Sequence, residues 1–250
     1  MTTAELAFLA VAGFGAGLVN GVAGGGSMVS FPALLAVGVP SLEANVTSTV
    51  GIWPGYMGGA AGFRRNLAAQ RHRLPALAAI ALVGALVGSL LLLVTSDDAF
   101  DALAPWLVLA ACGLFAAQPW LARRLARGEP GGRRHGVLRA VGVFGAGIYG
   151  AYFGAGLGVA LLAVLGITLP ERLDDINAIR TVLALLINSL AVVVFVVAAP
   201  IEWSAAAVMA PASLAGGYVG ARTATRMPVP VFRAVVLALG LAAAIGLFLR

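Results

Sequence analysis

The sequence predicts an all-α membrane protein that crosses the bilayer many times and contains two repeats of five apolar segments each. Composition is the first indication. The chain is 61% hydrophobic and 10% charged, with a mean hydropathy of +0.99, whereas soluble domains carry about 25% charged residues. Apolar stretches recur along the whole sequence, which leaves no room for a soluble domain. An internal repeat and the distribution of loop charges are the other two indications.

The strongest internal similarity joins GAGLVNGVAGGGSM, residues 15–28, to GAGIYGAYFGAGLG, residues 145–158. Each copy places several glycines in the middle of an apolar run. Since glycine costs about 1 kcal/mol relative to alanine in a helix interior, this density predicts a helix break or a close backbone contact. A break at membrane depth is tolerated only where it is buried in protein or lines a cavity. Paired breaks in two halves therefore point to the binding site of a transporter.

Ten apolar segments follow one another along the chain. The first repeat, residues 1–122, contains segments at 4–20, 24–39, 46–63, 74–95 and 102–122. A basic linker, residues 123–136, precedes the second repeat, residues 137–250, with segments at 137–150, 154–169, 177–199, 203–221 and 230–249. The two sets match with an offset of 130 to 132 residues at several landmarks: Pro40 and Pro170, Asn45 and Asn177, Thr49 and Thr181, and the helix-packing pairs Gly84/Gly88 and Gly216/Gly220.

The first two segments of each repeat are short. About 16 residues of helix rise ~24 Å, which is less than the ~30 Å hydrocarbon core of a bilayer. The two segments therefore form either a re-entrant hairpin broken by glycine or two short spans. In both cases each repeat contributes an odd number of crossings, so the second repeat is expected to be inverted relative to the first.

Loop charges independently favour the same inverted arrangement. The arginines between positions 64 and 73 predict a cytoplasmic loop, which puts the aspartates at 97–101 outside. The equivalent loops of the second repeat carry the opposite bias, with Glu202 outside and the arginines at 222–233 inside. Arg250 is the one departure from this pattern. We therefore expect a multi-pass protein of the cytoplasmic membrane with both termini outside.

The net charge of +6 comes from arginines alone, since the chain has no lysine. In a soluble protein such a charge would suggest a nucleic-acid partner. Here the arginines lie between apolar segments, where the positive-inside rule explains them, so we expect the lipid bilayer and a small substrate as partners and no nucleic acid. Cys112 is the one cysteine and lies in an apolar run, which argues against a disulfide or a thiolate metal site. No cofactor is expected, and the oligomeric state stays open.

The glycine-rich breaks predict helix starts within the membrane. A helix start exposes free N–H groups and about half a positive charge, which favours an anion. The alternative is close helix packing, because Gly13, Gly17 and Gly21 are four residues apart. The candidate ligand-facing residues of the two breaks are Gly24, Gly25, Gly26, Ser27, Gly154 and Gly156.

Polar side chains cluster beside the breaks and at the starts of the third and eighth segments. In a membrane each needs a hydrogen-bond partner, which is either a neighbouring helix or a substrate. For Asn45 and Asn177 helix capping is the alternative, and for Ser30 and Thr47 we expect bonds between helices. The candidate substrate-binding residues of this group are Asn20, Asn45, Ser48, Thr49, Tyr152, Asn177 and Thr181.

Arg180 carries the charge that falls within the polar stripe of an apolar segment, one turn after Asn177. A charge inside a membrane span costs about 3 kcal/mol or more, so it is a functional hypothesis by default. The alternatives are that the side chain snorkels to the cytoplasmic interface or pairs with Asp174 or Asp175. We include Arg180 among the candidate substrate-binding residues. The sequence offers no nucleophile–base pair and no set of metal ligands, so an enzyme is not expected.

The motifs around the first break follow a defined order. They are GLVNGVAGGGS at 17–27, PALL at 32–35 with Gly38 and Pro40, ANVTS at 44–48 and FRRN at 63–66. The second half carries a weaker copy in which YFGAG at 152–156 replaces the VAGGG of residues 22–26, and its matching residues are Gly147, Gly150, Gly154, Gly156, Gly158 and Asn177. With these motifs the chain resembles the TauE/SafE family of sulfite exporters over essentially its whole length.

This resemblance implies a permease for sulfur-containing anions such as sulfite, sulfoacetate or other organosulfonates. Export is favoured because an inside-negative potential drives one negative charge outward with ~2.3 kcal/mol per 100 mV. No acidic residue lies deep in a segment, whereas a proton-coupled importer would usually carry one. Two alternatives stay open: a transporter of a cation or metal, and a membrane scaffold or accessory subunit without flux.

The inverted arrangement predicts that equivalent loops face opposite sides of the membrane. Asp98→Cys and Arg226→Cys, each in a Cys112→Ala background, should differ in their accessibility to a membrane-impermeant thiol reagent. Added to intact cells, the reagent should label position 98 alone, because Asp98 belongs to an acidic loop and Arg226 to a basic one. Labelling of both positions from outside would contradict the inverted arrangement.

Overall fold

The computed structural model describes residues 1–22, 24–62, 73–125, 133–169, 171, 173–223 and 229–248, except the side chains of 61–62, 121–125, 133–135, 173–174 and 229–233. The loop stretches 63–72 and 126–132, together with Pro170 and Arg226, lie outside these residues. The described chain forms ten helices: α1 (Thr3–Val22), α2 (Ser27–Ala36), α3 (Ser41–Gly62), α4 (Leu74–Val94), α5 (Asp97–Leu125), α6 (Arg133–Tyr152), α7 (Leu157–Thr168), α8 (Leu173–Ala198), α9 (Trp203–Thr223) and α10 (Val229–Phe248). The predicted all-α class is confirmed.

The helix lengths correct one expectation. We predicted that the first two segments of each repeat are both short, but α1 and α6 have 20 residues each. At 1.5 Å per residue this is about 30 Å, enough to span the hydrocarbon core. The short elements are α2, with 10 residues, and α7, with 12. Each hairpin therefore pairs a long helix with a short one.

The helices α3 and α8 also begin earlier than predicted, at Ser41 and Leu173 rather than at 46 and 177. Their first turns contain the acidic residues Glu43 and Asp174, which are compatible with a helix start but lower the hydropathy of the segment. Hydropathy therefore located the apolar part of each helix and missed its polar first turn.

Four of the described helices are long and apolar enough to cross a membrane: Thr3–Val22, Leu74–Val94, Asp97–Trp120 and Asp175–Ala198. Large apolar side chains are exposed on the outer surface of the bundle, for example Val94, Val197 and Trp106. In a soluble protein so much exposed apolar surface would mark an interaction site. Together with the apolar helices it indicates a multi-pass membrane protein.

Glycines bring α1 and α9 into direct backbone contact. A Cβ atom on Gly13 would lie 2.9 Å from the Cα atom of Met209, one on Gly17 would meet the carbonyl of Ser213, and one on Gly21 would lie 2.7 Å from the carbonyl oxygen of Gly217. Both members of each successive contact advance by four residues, so the two helices run parallel. The packing interpretation is therefore correct for the helical glycines of α1.

Equivalent positions of the second half make equivalent contacts. Gly147 of α6 corresponds to Gly17, and a Cβ atom there would lie 2.6 Å from the carbonyl oxygen of Ala81 in α4. The small-residue pairs behave in the same way. Gly84 and Gly88 lie against α6 carbonyls, as Gly216 and Gly220 lie against α1 carbonyls: Phe144, Ile148, Phe14 and Leu18, respectively.

The contacts between helices also occur in pairs. α1 contacts α9 as α6 contacts α4, α3 contacts α9 as α8 contacts α4, and α2 contacts α10 as α7 contacts α5. Each of these contacts joins a helix of one half to a helix of the other. Two further contacts between the halves, α3 with α8 and α5 with α10, join equivalent helices. The two sets of five helices are thus interleaved, and neither forms a separate body.

Close packing through Gly147 predicts a difference between two glycines of the same helix. Gly147→Ala should lower thermal stability in detergent, because forcing a methyl group against the Ala81 carbonyl costs about 1–3 kcal/mol. Gly145→Ala should leave stability equal or raise it, since a Cβ atom at Gly145 meets nothing within 4 Å. A melting curve of each purified variant measures both effects. Equal melting temperatures would exclude the backbone contact.

Candidate functional site

Two helix breaks of similar geometry lie at the tips of the hairpins α1–α2 and α6–α7. Gly24 has φ of +78° and Gly154 has φ of +79°, a left-handed conformation that favours glycine. The N–H of Gly24 donates to the Val19 carbonyl at 3.0 Å, and the N–H of Gly154 donates to the Tyr149 carbonyl at 3.2 Å. Each bond spans five residues and ends its helix in the same way. The predicted breaks are present, and each is confined to a few residues.

The two hairpin tips touch each other through their backbones. The N–H of Gly158, in the first turn of α7, donates to the Gly24 carbonyl oxygen at 2.9 Å. A Cβ atom on Gly24 would lie 2.7 Å from the Cα atom of Gly158, and one on Gly158 would lie 2.6 Å from the Cα atom of Gly24. Only glycine allows this approach at either position. We call this contact the hairpin crossing.

Asn20 holds the first break from the last turn of α1. Its Oδ1 atom accepts the N–H of Gly26 at 2.7 Å. The Nδ2 atom lies 2.7 Å from the point where a Cβ atom on Gly26 would stand, and it is buried with no hydrogen-bond partner among the described residues. Asn20 therefore satisfies one backbone donor of the break and presents two N–H groups of its own.

Arg180 lies beside the hairpin crossing. Its side chain is 2% exposed, and Nη1 lies 3.4 Å from the point where a Cβ atom on Gly24 would stand. The alternative that Arg180 snorkels to the cytoplasmic interface is therefore wrong, because a snorkelling guanidinium would be exposed. Of the two proposed pairing partners, Asp175 is half-buried and the side chain of Asp174 lies outside the described side chains, so pairing with either stays an alternative.

Asn20, Tyr56, Arg180 and Asn188 form a buried cluster that we call the polar centre. Tyr56 and Asn188 are not among the candidate residues predicted from the sequence. They are 3% and 2% exposed, and the Tyr56 hydroxyl lies near the Asn20 and Asn188 amides and the Arg180 guanidinium. Tyr56 and Asn188 are 132 residues apart, the same offset that relates Asn45 to Asn177. Applying that offset to every polar residue of α3 would have found the pair.

Asn45 ties the second hairpin to α3. Its Nδ2 atom donates to the Tyr152 carbonyl at 2.9 Å, the last residue of α6. The capping alternative is wrong for Asn45 and for Asn177, because α3 and α8 begin one turn earlier. Asn45 is therefore placed to hold a hairpin tip in position.

The hydroxyl groups of the predicted set have hydrogen-bond partners within the protein. Thr49 and Thr181 donate to the carbonyls of Asn45 and Asn177 at 3.0 and 2.8 Å, one turn back in their own helices. The Ser48 hydroxyl bonds that of Ser30 at 2.6 Å and joins α3 to α2. Ser30 therefore makes the interhelical bond expected of it. Thr47 instead accepts the N–H of Glu202 at 3.0 Å, and Glu202 lies in the loop between α8 and α9.

The remaining residues of the breaks pack against other helices. A Cβ atom on Gly25 would lie 2.9 Å from the Phe115 ring, and one on Gly156 would lie 3.6 Å from Ala111, one turn earlier in α5. Ser27 is buried, and its Oγ lies 3.4 Å from the Cβ position of Gly154. The Tyr152 hydroxyl lies 3.2 Å from that of Thr95.

The second hairpin tip is further braced by aromatic residues. The Tyr149 hydroxyl donates to the Ala155 carbonyl at 2.6 Å and bridges the break. The rings of Phe31, from α2, and Phe153, at the second tip, meet edge to face with centroids 5.4 Å apart, a favourable aromatic geometry. Both tips are therefore held from several sides.

The polar centre carries positive charge. The buried described polar side chains include Arg180 and contain no aspartate or glutamate. The first turns of α2 and α7 begin close to the hairpin crossing and add the partial positive charge of helix starts.

A separate apolar groove of about 570 Å³ lies between α1, α2 and α10 and is lined by Phe8, Val11, Pro32, Leu239 and Leu247 among others. That groove contains none of the polar centre's residues.

Two broken helical hairpins that meet at a buried charge within an interleaved bundle are typical of one class of protein, the membrane transporters. The chain belongs to the TauE/SafE family of that class, because the family model described as "Sulfite exporter TauE/SafE" matches residues 9–247. The family resemblance inferred from the glycine motifs is confirmed. No solved structure matches the chain.

Curated relatives carry transporter names without a stated substrate. A Haemophilus influenzae "Probable membrane transporter protein" is 28% identical over 221 residues, which cover 87% of this chain and 84% of the relative. The Escherichia coli K12 "Probable membrane transporter protein YfcA" is 25% identical over 85% of this chain and 76% of the relative. The Sinorhizobium "Probable membrane transporter protein ORF9" is 34% identical, but the match spans 46% of this chain and 44% of the relative.

The hairpin crossing predicts that Gly24 tolerates alanine less well than another left-handed glycine does. Gly38 has φ of +86°, and a Cβ atom there would meet nothing within 4 Å. Gly38→Ala should therefore cost only the left-handed backbone, about 1–2 kcal/mol. Gly24→Ala should add the clash with Gly158 and lower the melting temperature further. An equal loss in both variants would show that the crossing contributes no constraint of its own.

Proposed function

We propose that the protein transports small anions across the cytoplasmic membrane, with sulfite or organosulfonates as substrates and export as the favoured direction. The observation that carries this proposal is the Arg180 guanidinium, which is 2% exposed and lies beside the hairpin crossing. Opposite charges attract far more strongly in such a medium than in water. A full positive charge held there favours an anion and repels a cation.

The binding residues follow from the contacts around Arg180. In the proposal, the guanidinium and Asn20 contact the substrate, and the tips at Gly24–Ser27 and Gly154–Gly156 provide helix starts and close packing. Asn45 holds the second tip through the Tyr152 carbonyl. Ser48, Thr49, Asn177 and Thr181 support the helices α3 and α8 that carry the site.

The proposed topology has two inverted repeats, residues 1–122 and 137–250, joined by a cytoplasmic linker at 123–136. The hairpin α1–α2 enters the membrane from outside, and the hairpin α6–α7 enters from the cytoplasm. The opposite charge bias of equivalent loops supports this orientation. The packing of α1 on α9 and of α6 on α4 supports the relation between the two repeats, since it gives equivalent helices equivalent partners. Two hairpins that enter from opposite sides would meet at the crossing.

Transport requires the hairpins to move, because the polar centre is closed. Asn20, Tyr56 and Arg180 are all at most 4% exposed, so an anion reaches them only after one tip has separated from α5 or from the other tip. Two contacts hold the opposite ends: the Arg73–Glu171 ion pair at 2.7 Å and the Glu202–Thr47 hydrogen bond. Alternate release of the two ends would open the centre to one side at a time.

Removal of the central charge tests the proposal. Arg180→Gln should weaken sulfite flux in proteoliposomes at least tenfold, about 1.4 kcal/mol, because the site loses its full positive charge. Arg180→Lys should retain more flux than Arg180→Gln, unless two-point recognition of oxygen atoms by the guanidinium is required. Sodium and a divalent metal ion serve as cation substrates in parallel.

Arg139→Gln is the matched control, since it also removes one arginine. Arg139 donates to the Thr168 carbonyl at 3.2 Å, at the far end of α7 from the crossing, so its variant should transport sulfite normally. Cation flux without anion flux in the wild type would refute anion transport. Normal sulfite flux in Arg180→Gln would refute only the assigned role of this arginine.

A further inference from the structure

Two buried polar atoms of the described residues have no hydrogen-bond partner, Asn20 Nδ2 and the Tyr56 hydroxyl. They come from different helices, α1 and α3, and the Tyr56 hydroxyl lies near the Asn20 and Asn188 amides, but neither atom meets the geometry of a hydrogen bond. Buried polar groups in native proteins are almost always paired, and each exception calls for an explanation. Two neighbouring exceptions beside a buried arginine can share one explanation.

Other buried polar side chains of this bundle are satisfied internally. Ser30 bonds Ser48, Ser89 donates to the Ala85 carbonyl, and Asn188 donates to the Ala184 carbonyl at 2.8 Å. The absence of a partner is therefore specific to the polar centre and is not a general property of the bundle. A third helix, α8, brings the Arg180 guanidinium to the same place.

We propose that Asn20 Nδ2 and the Tyr56 hydroxyl bind oxygen atoms of the transported anion beside Arg180. The inference rests on the anion transport proposed above and identifies two residues that determine its specificity. Asn20 is suited to this role because its Oδ1 atom is already occupied by the Gly26 N–H at 2.7 Å, which leaves only donors for the substrate. Tyr56 is suited because its hydroxyl can rotate toward an acceptor.

The arrangement also defines which anions fit. Donors on α1, α3 and α8 surround the site from three directions, so an anion with three oxygen atoms, such as sulfite or a sulfonate, can engage all of them at once. A carboxylate has two oxygen atoms and chloride has none. Since a missing acceptor leaves a buried donor unpaired, the site should discriminate against acetate and chloride.

Asn20 also links substrate binding to the hairpin. The same side chain that would bind the anion through Nδ2 holds the Gly26 N–H through Oδ1, and Gly26 immediately precedes α2. An anion that accepts a hydrogen bond from Nδ2 would therefore act directly on the first break. Asn20 would therefore transmit the presence of a bound anion to the α1–α2 tip.

The test uses the full-length purified protein and its thermal stabilisation by sulfite and by methanesulfonate. Tyr56→Phe removes one hydroxyl and keeps the ring. It should leave the melting temperature without anion unchanged or higher, because an unpaired buried hydroxyl is lost, and should weaken anion affinity about tenfold, as expected for one hydrogen bond to a charged group. Acetate and chloride should stabilise the wild type less than methanesulfonate does.

Tyr149→Phe is the matched control, since the Tyr149 hydroxyl is paired with the Ala155 carbonyl at 2.6 Å. It should show the opposite behaviour, with a lower melting temperature without anion and unchanged affinity. As a second variant, Asn20→Asp keeps the acceptor for the Gly26 N–H and replaces the donor, and it should abolish stabilisation by methanesulfonate.

The outcomes separate the two proposals. If sulfite and methanesulfonate stabilise the wild type, but Tyr56→Phe and Asn20→Asp bind them equally well, the assignment of these two donors is wrong and anion transport stands. If neither anion stabilises or is transported by the wild type, the proposed function fails and the donor assignment fails with it. Equal stabilisation of the wild type by chloride, acetate and methanesulfonate would overturn the three-oxygen specificity.

Discussion

The contact between the backbones of Gly24 and Gly158 is the constraint on which the centre of the structure depends. A helix that stops inside a membrane leaves N–H and C=O groups that water cannot satisfy, so each must find a partner in the protein. The Gly158 N–H reaches the Gly24 carbonyl at 2.9 Å and couples the two breaks. A side chain at either position would separate the tips and expose these groups.

The rest of the bundle keeps this contact in place. Glycines of α1 and α6 let the long arm of each hairpin lie directly on a helix of the other half, α9 or α4. Such close packing is the main source of attraction between helices in lipid, where apolar side chains gain little by leaving the bilayer. The short arms α2 and α7 depend more on polar and aromatic contacts, among them the Ser30–Ser48 hydrogen bond and the Phe31–Phe153 pair.

The two halves are equivalent in packing but differ in charge. Arg180 occupies the position of α8 that corresponds to Ser48 in α3, given the offset of 132 residues. Ser48 is neutral and bonds Ser30, whereas the residue corresponding to Ser30 is Ala160. The first half therefore has a self-satisfied hydroxyl pair where the second half has a guanidinium. In the proposed function, this charge to one side of the α3–α8 contact would hold one anion at a time.

The sequence by itself determined the class of protein, the approximate bounds of ten segments, the two glycine breaks and the family, because hydropathy, glycine density and motif order are local properties of the chain. It also selected Asn20 and Arg180, since polar residues are rare in apolar segments. Only the tertiary structure decided that Gly24 meets Gly158, that Asn45 holds Tyr152, that Gly25 faces α5, and that Tyr56 and Asn188 join the centre. These relations link residues up to 134 positions apart (Gly24 to Gly158), and they depend on which face each helix turns toward its neighbours. Local patterns do not specify that choice when a helix is apolar on nearly every side.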